Sequence, residues 1–507
     1  MNRRGFLGLI GVAAGAAALG GGCAVTGSTG ETLSSDVPLP EPFRVPLPIP
    51  PVKRPVRRDA TTDWYEIVQR PADVEILPGV RTRILGYDGI YPGPTIESRS
   101  GRRTVVRHEN RTDVPTVVHL HGGHTPAAHD GWPTDLVLPP AREHPVGGHS
   151  HHHTGRITQG HRDYVYPVDQ PAATLWYHDH RMDFTGPQVY RGLAGFHLIR
   201  DTAEETLPLP AGGREIPLMI ADRSFGADGE LKYPPMDHGI SEDFVEGVLG
   251  DVVLVNGAPW PELEVDAARY RFRVLNASNA RRYRLVLDPG PAFIQIGSDA
   301  GLLAAPVTHK TVTIAPAERF DLVVDFSGYR PGQLITMRNP LGTGGTGQIM
   351  RFRITRTAPD DSAIPAKLVD LPPLTAPPNA PRRQFSFRRG SVPDGLGGTR
   401  KGWVINRKPF DPNRVDATPR LGDVEIWTLS TDLHHSVHIH LSPFQVLSRN
   451  SHSPGKFDVG WKDTVDLRPA ETVEVAVRFT DYRGRFLLHC HNLEHEDMMM
   501  MSTFETK

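Results

Sequence analysis

Apolar and polar side chains alternate in steps of two along much of this chain. Tyr270, Phe272 and Val274 interleave with Arg269, Arg271 and Arg273, and Val473, Val475, Val477 and Phe479 interleave with polar neighbours. Successive side chains of a strand point to opposite faces, so these runs predict half-buried antiparallel strands, one face on a core and the other towards water. Stretches with helical periodicity are scarce, while 48 Pro and 50 Gly punctuate the chain, which predicts many short strands joined by turns. Two apolar segments run straight into histidine pairs: Val117-Val118 precede His119-Leu120-His121-Gly122, and Trp176-Tyr177 precede His178-Asp179-His180. In an extended strand both imidazoles of such a pair leave the same face.

A chain of 507 residues exceeds one ordinary domain and suits three of about 130 to 150 residues each. Proline-rich seams mark the boundaries: a leader at 1–23, a lead-in with little core of its own at 24–60, domains at 61–200, 208–357 and 384–507, and a linker at 358–383. In the leader, Asn2-Arg3-Arg4-Gly5-Phe6-Leu7 followed by a small and apolar run to Leu19 resembles a twin-arginine export signal, which carries folded proteins out of the cytoplasm. The expected location is therefore extracellular, cell-surface or periplasmic. The run is too short and too rich in glycine for a membrane span. Cys23 follows Gly20-Gly21-Gly22 and is a candidate for lipid attachment to a membrane, although Gly20 stands where such sites carry Leu; free secretion stays open. Loss of Arg3 and Arg4 with the leader takes the formal net charge from −2 to −4, which argues against nucleic acid as a partner.

Candidate chemistry concentrates near the C-terminus. With 24 His in 507 residues, a bare His-x-His recurs roughly once by chance, so single pairs carry little weight. The run His489-Cys490-His491-Asn492-Leu493-Glu494-His495, with Met500 five residues on, is far more specific. It offers two histidines, a thiolate and a thioether, the donor set of a blue electron-transfer copper. Alternation along a strand sends His489 and His491 to one face and Cys490 to the other, so one peptide bond on each side of the thiolate joins two metal sites. The only other cysteine is Cys23, and Cys490 is committed to metal, so no disulfide is expected. A further cluster, His435-Ser436-Val437-His438-Ile439-His440, follows Trp427-Thr428-Leu429-Ser430.

These four motifs, in this order, resemble the three-domain multicopper oxidases, above all the branch of bacterial spore-coat laccases, bilirubin oxidase and phenoxazinone synthase, from about Asp63 to Thr506. The resemblance implies an all-β protein of three cupredoxin-like Greek-key β-sandwich domains and four copper ions. By the same resemblance, His435, Cys490, His495 and Met500 match the type 1 copper ligands and His119 and His438 the type 2 ligands. His121, His178, His180, His440, His489 and His491 match the ligands of the type 3 pair. Asp130, nine residues after His121, and Glu496, next to His495, match carboxylates that feed protons to dioxygen. The implied reaction couples four one-electron oxidations of phenols, aminophenols or related aromatic and tetrapyrrole reductants to reduction of dioxygen to water. Electrons are expected to enter through an exposed edge of His435 or His495. The dioxygen-reducing cluster should lie between the first and third domains, with the middle domain as a spacer.

Some positions leave alternatives. Ser436 stands where the family carries proline, and His434 beside it competes with His435 as a type 1 ligand. Met498, Met499, Met500 and Met501 all adjoin the axial position, with spacing in favour of Met500. His144, His149, His151, His152, His153 and His161 crowd a glycine-rich stretch, read either as a copper-collecting or gating loop or as a solvated loop without metal geometry. Other roles for the whole chain are a cuprous, manganese or ferrous oxidase in copper tolerance, a copper store, or a copper-free structural relative linked to export or division. Ten methionines in all, four of them in the ligand run, argue against a methionine-rich cuprous site, and the complete donor set argues against loss of copper.

Overall fold

The computed structural model describes residues 28, 30–140, 155–234, 244–394 and 397–507. The twin-arginine leader, Cys23 and the histidines from His144 to His153 lie outside the described residues. His161 opens the strand His161–Tyr166 and is exposed.

Pairs of sheets dominate the chain. In the first pair, one sheet orders His161–Tyr166, Arg103–Asn110, Thr62–Glu75 and Arg57–Arg58, with Arg81–Tyr87 also on Thr62–Glu75. The other orders Gly93–Arg99, Ala194–Arg200, Ala173–Asp179 and Val118–His121. Ile67, Val106, Leu120 and Leu175 from both sheets share one core. A seven-stranded and a five-stranded sheet between Glu215 and Thr357 enclose a second core around Phe272, Leu285, Ile335 and Phe352. Five- and four-stranded sheets between Arg382 and Thr506 enclose a third, around Trp427, Val437, Val475 and Leu488. Trp176, Leu275, Ala317 and Leu493, drawn from all three sandwiches, meet in a further apolar cluster beside the histidine-bearing strands.

One expectation needs correction. The strand Arg269–Asn276 pairs parallel with Glu215–Arg223 and antiparallel with Arg319–Asp325, and beyond the half-buried Arg269 its arginine face is not solvated. Arg271 and Arg273 are buried against Asp321, Glu204 and Glu215, so the polar alternation marks a charged seam between sandwiches. The lead-in docks on the middle sandwich. Glu31–Thr32 pairs with Val248–Leu249, Leu47 N–H donates to Glu262 O at 2.9 Å, and Val37, Phe43 and Leu47 pack on the middle core.

Candidate metal centres

Strand pairing draws the four histidine motifs together. Val118–His121 runs antiparallel to Ala173–Asp179, with His119 opposite His178 and His121 opposite Trp176. His435–Ile439 runs antiparallel to Gly484–Cys490, with His438 opposite His489 and Val437 opposite Cys490. None of His119, His121, His178, His180, His438, His440, His489 and His491 is more than 1% exposed. Burial pushes His119, His121, His440 and His491 well below ordinary histidine basicity, which keeps the neutral, ligating form.

Hydrogen-bond partners decide which nitrogen of each ring is free. Nδ1–H donates to Asp130 O at 2.5 Å in His119, to Asp179 O at 2.7 Å in His178 and to Asp463 O at 2.8 Å in His438, which leaves each Nε2 without a partner. His121 is turned the other way: Nε2–H faces Asp463 Oδ1 and Thr464 Oγ1, both at 3.1 Å, and Nδ1 is the orphan. His440 Nδ1–H donates to Asp130 Oδ2 at 2.7 Å and His489 Nδ1–H to Cys490 O at 3.1 Å, so their Nε2 lone pairs confront each other at 3.1 Å. Facing lone pairs repel unless a cation lies between them, and an orphaned buried nitrogen costs about 1–3 kcal/mol. Donor atoms of His119, His438 and His440, of His180, His440 and His489, and of His119, His121 and His178 each fall within 4.8 Å of one another. The His491 ring sits 5.0 Å from His121 and 5.2 Å from His178.

On the other face of the strand stands a second donor set. His435 Nδ1 and His495 Nδ1 are 3.0 Å apart, and Cys490 Sγ lies 3.5 and 3.6 Å from them. Their outer nitrogens meet acceptors, His435 Nε2 at 3.3 Å from Asp432 Oδ1 and His495 Nε2 at 3.1 Å from Glu246 O, so again two lone pairs converge. Burial pushes the Cys490 thiol up to about 12, and a thiolate here calls for a bound cation. Asn492 caps the short helix Leu493–Asp497 by accepting from His495 N–H, and its own N–H points at Cys490 Sγ at 3.4 Å. The donor chemistry fits copper: neutral imidazoles and a thiolate, preset around one point.

The ambiguous neighbours separate spatially. His434 and His435 both line a small gap with Arg282 and Asp466, but it is His435 that joins the thiolate set. Met498 and Met500 pack in the apolar cluster that holds Cys490, while Met499 and Met501 pack in another with Leu487 and Phe410. Met500 is fully buried, and its carbonyl accepts from Cys490 N–H at 3.1 Å.

Two buried carboxyl groups flank the histidines in opposite electrostatic states. Burial raises Asp130 well above the usual carboxylate range. Burial also opposes ionisation of Glu496, yet His180, His489 and Thr185 hold it at about 2. Thr185 Oγ1 donates to Glu496 Oε1 at 2.7 Å, and His180 Nδ1 and His489 Nδ1 lie 3.4 and 3.2 Å from its carboxylate. Carboxyl groups driven apart in this way can divide proton holding and charge stabilisation between them. A cavity of about 260 Å³ is lined by exposed Asp169 and Thr480 and, further in, by buried His119 and His438.

Electron entry departs from expectation. Neither His435 nor His495 offers an exposed edge: both are at most 1% exposed, with Trp403 tilted against His495 at 3.9 Å and edge-on to His435 at 5.2 Å, and the Glu246 carbonyl over His495 Nε2. Sequence reasoning also missed Asp463, which contacts His121 and His438, Asp432 behind His435, and Trp176, whose ring lies 4.2 Å from His178. Asp463 and Asp432 carry no motif of their own. Asp432 stands three residues before His435, but Asp463 reaches the site only through strand pairing, with Thr464 opposite His438.

Two family profiles described as multicopper oxidase match this chain, one at residues 69–145 and 146–204 and the other at 378–507. A laccase of Bacillus stratosphericus is 36% identical over 517 residues, covering 91% of this chain and 98% of its own. The bilirubin oxidase of Albifimbria verrucaria is 37% identical over 499 residues, covering 91% of this chain and 81% of its own. The solved structure of a laccase from Pediococcus acidilactici superposes with a TM-score of 0.81 at 32% identity, covering 94% of this chain and 96% of that one. The chain belongs to the multicopper oxidase family. It is accordingly an all-β protein of three cupredoxin-like sandwiches and a copper-dependent oxidoreductase that passes electrons from a reductant to dioxygen.

Proposed function

We propose that the chain binds four copper ions and acts as a laccase-like oxidase of phenols, aminophenols or tetrapyrroles. The carrying observation is the His489-Cys490-His491 strand end, which joins two preset donor sets through one peptide bond on either side. His435, Cys490, His495 and Met500 would hold the type 1 copper. His119 and His438 would hold the type 2 copper, and the type 3 pair would divide between His121, His178 and His491 on one side and His180, His440 and His489 on the other, a division supported by the ring distances and donor groupings. Bound copper supplies one-electron acceptance from the reductant and four-electron reduction of dioxygen.

The protein residues bind, orient and handle protons. Asp130 anchors His119 and His440 and offers a proton beside the cluster, while ionised Glu496 takes up positive charge next to His180 and His489. Trp403 and Glu246 cover His495, so the reductant docks over this lid and transfers electrons across it. The names laccase and bilirubin oxidase carried by relatives support this substrate class. Export by the twin-arginine route, with Cys23 as the lipidation candidate, completes the reading; labelling with a radioactive fatty acid separates a lipid-anchored form from a secreted one.

Cys490→Ser tests the assignment. It should abolish the visible thiolate colour and oxidation of dimethoxyphenol, while the magnetic resonance signal of the type 2 copper persists. Retained colour would refute it.

A further inference from the structure

The middle sandwich contributes none of the histidines, yet Arg319 reaches them from its strand Arg319–Asp325. This guanidinium is fully buried and uses all its N–H groups. Nε donates to Thr174 O of the first sandwich at 2.9 Å. Nη1 donates to Ala317 O at 3.0 Å and Nη2 to Asp299 O at 3.0 Å, within the middle sandwich. The remaining pair forks onto the Asp463 carboxylate of the third sandwich, with Nη1 at 2.7 Å from Oδ1 and Nη2 on Oδ2. One side chain thus ties three sandwiches at a single point.

Asp463 carries that grip into the histidine cluster. Its Oδ1 accepts from His121 Nε2–H at 3.1 Å and from Thr464 Oγ1–H at 2.9 Å, and its backbone carbonyl accepts from His438 Nδ1–H at 2.8 Å. Gly122, directly after His121, leaves the necessary room: a Cβ there would stand 2.8 Å from both Arg319 Nη2 and Asp463 Oδ2. A bidentate fork fixes both the position and the plane of a carboxylate, which a single ammonium does not do. Among the cluster rings whose hydrogen bonds identify the free nitrogen, only His121 turns Nδ1 inward, and Asp463 holds its proton on Nε2.

We propose that Arg319 is a positioning residue for the dioxygen-reducing copper cluster, acting through Asp463 to present His121 Nδ1 and His438 Nε2 to metal. The inference rests on the ligand assignment above. It gives the middle sandwich a part in the site that a spacer would not have.

Arg319→Lys and Arg319→Met in the full copper-loaded chain test it, with Arg273→Met as comparison. Arg273 is an equally buried cation of the middle sandwich that bonds Glu204, Glu215 and Thr174 and does not touch Asp463. Copper per chain, the visible thiolate band and the magnetic resonance signal of the type 2 copper are followed during challenge with a chelator. In both Arg319 variants, cluster copper should be lost about 10–100-fold more readily than in the parent, with the lysine variant less affected and the thiolate band retained. Arg273→Met should keep the parental cluster signals. Parental copper retention and an unchanged type 2 spectrum in Arg319→Lys would overturn the proposal, as would loss of thiolate band and cluster together in both Arg319→Lys and Arg273→Met. Should Arg319→Met fail to fold, the lysine variant decides alone. A parent chain without cluster signals would instead overturn the ligand assignment on which the inference stands.

Discussion

Replacing Asp130 by asparagine and by alanine separates two jobs held by one side chain. The backbone carbonyl of Asp130 accepts from His119, so neither substitution removes that contact. The side chain accepts from His440 Nδ1–H at 2.7 Å. Burial favours the neutral carboxyl, so an amide replaces it without removing a charge, and the amide oxygen can accept the same hydrogen bond. Asp130→Asn should therefore retain its copper, with a stability change under about 1 kcal/mol, the worth of one hydrogen bond. It cannot deliver a proton, and loss of a positioned proton donor should cost about 100- to 10,000-fold in kcat. Asp130→Ala strands the His440 N–H in a dry site, which costs about 1–3 kcal/mol and loosens the metal as well. The assay is dioxygen uptake with a saturating aminophenol, alongside copper analysis of each preparation. Full turnover in the copper-replete asparagine variant would refute the proton role and leave Asp130 as an anchor only.

Other expectations follow from the same geometry. Glu215 is held at about 2, from an ordinary 4.5, by Arg273, Arg271 and Arg200 against the opposing effect of burial. That depression amounts to about 3 kcal/mol of stability, present above the unfolded value near 4.5 and lost as pH falls towards about 2. Acid unfolding curves of Glu215→Gln should be correspondingly flatter in that window, and an unchanged slope would contradict the linkage. Met500→Leu, close to volume-conserving and costing under about 1.5 kcal/mol, should raise the type 1 potential in a redox titration, whereas Met498→Leu should not. The opposite outcome would move the axial role to Met498. Because paired lone pairs face each other at 3.0 and 3.1 Å, copper at a thousandfold excess over its dissociation constant should add about 4 kcal/mol. Equal melting temperatures of metal-free and loaded protein would argue against preset metal sites.

The histidine strands were legible because their information is local. An apolar run, two imidazoles spaced by two and a glycine turn name a strand end and the face it presents, and the structure gathers all four such motifs at one junction. What lay beyond reach was non-local. Asp463 and Arg319 meet across 144 positions of sequence, and nothing in the residues around either marks the pairing. The alternating arginines of Arg269–Asn276 were equally opaque: period-two patterning reports that two faces differ, and only the partner acids Glu204, Glu215 and Asp321 show that the polar face is buried. Proline content likewise predicted an extended lead-in, but where it docks depended on Glu262 and Val248–Leu249, far along the chain. The lid of Trp403 and Glu246 over His495 has the same origin, since two separate segments build it over a third.

One strand end is proposed to serve two copper sites and to couple them. This coupling is tested most directly by an absorption spectrum of the copper-loaded chain recorded before and during aerobic addition of an aminophenol. The expected result is an intense visible thiolate-to-copper band that bleaches when dioxygen is exhausted and returns on its readmission, with one dioxygen consumed for about four electrons withdrawn. A colourless, fully copper-loaded protein, or a coloured one that consumes no dioxygen, would contradict it.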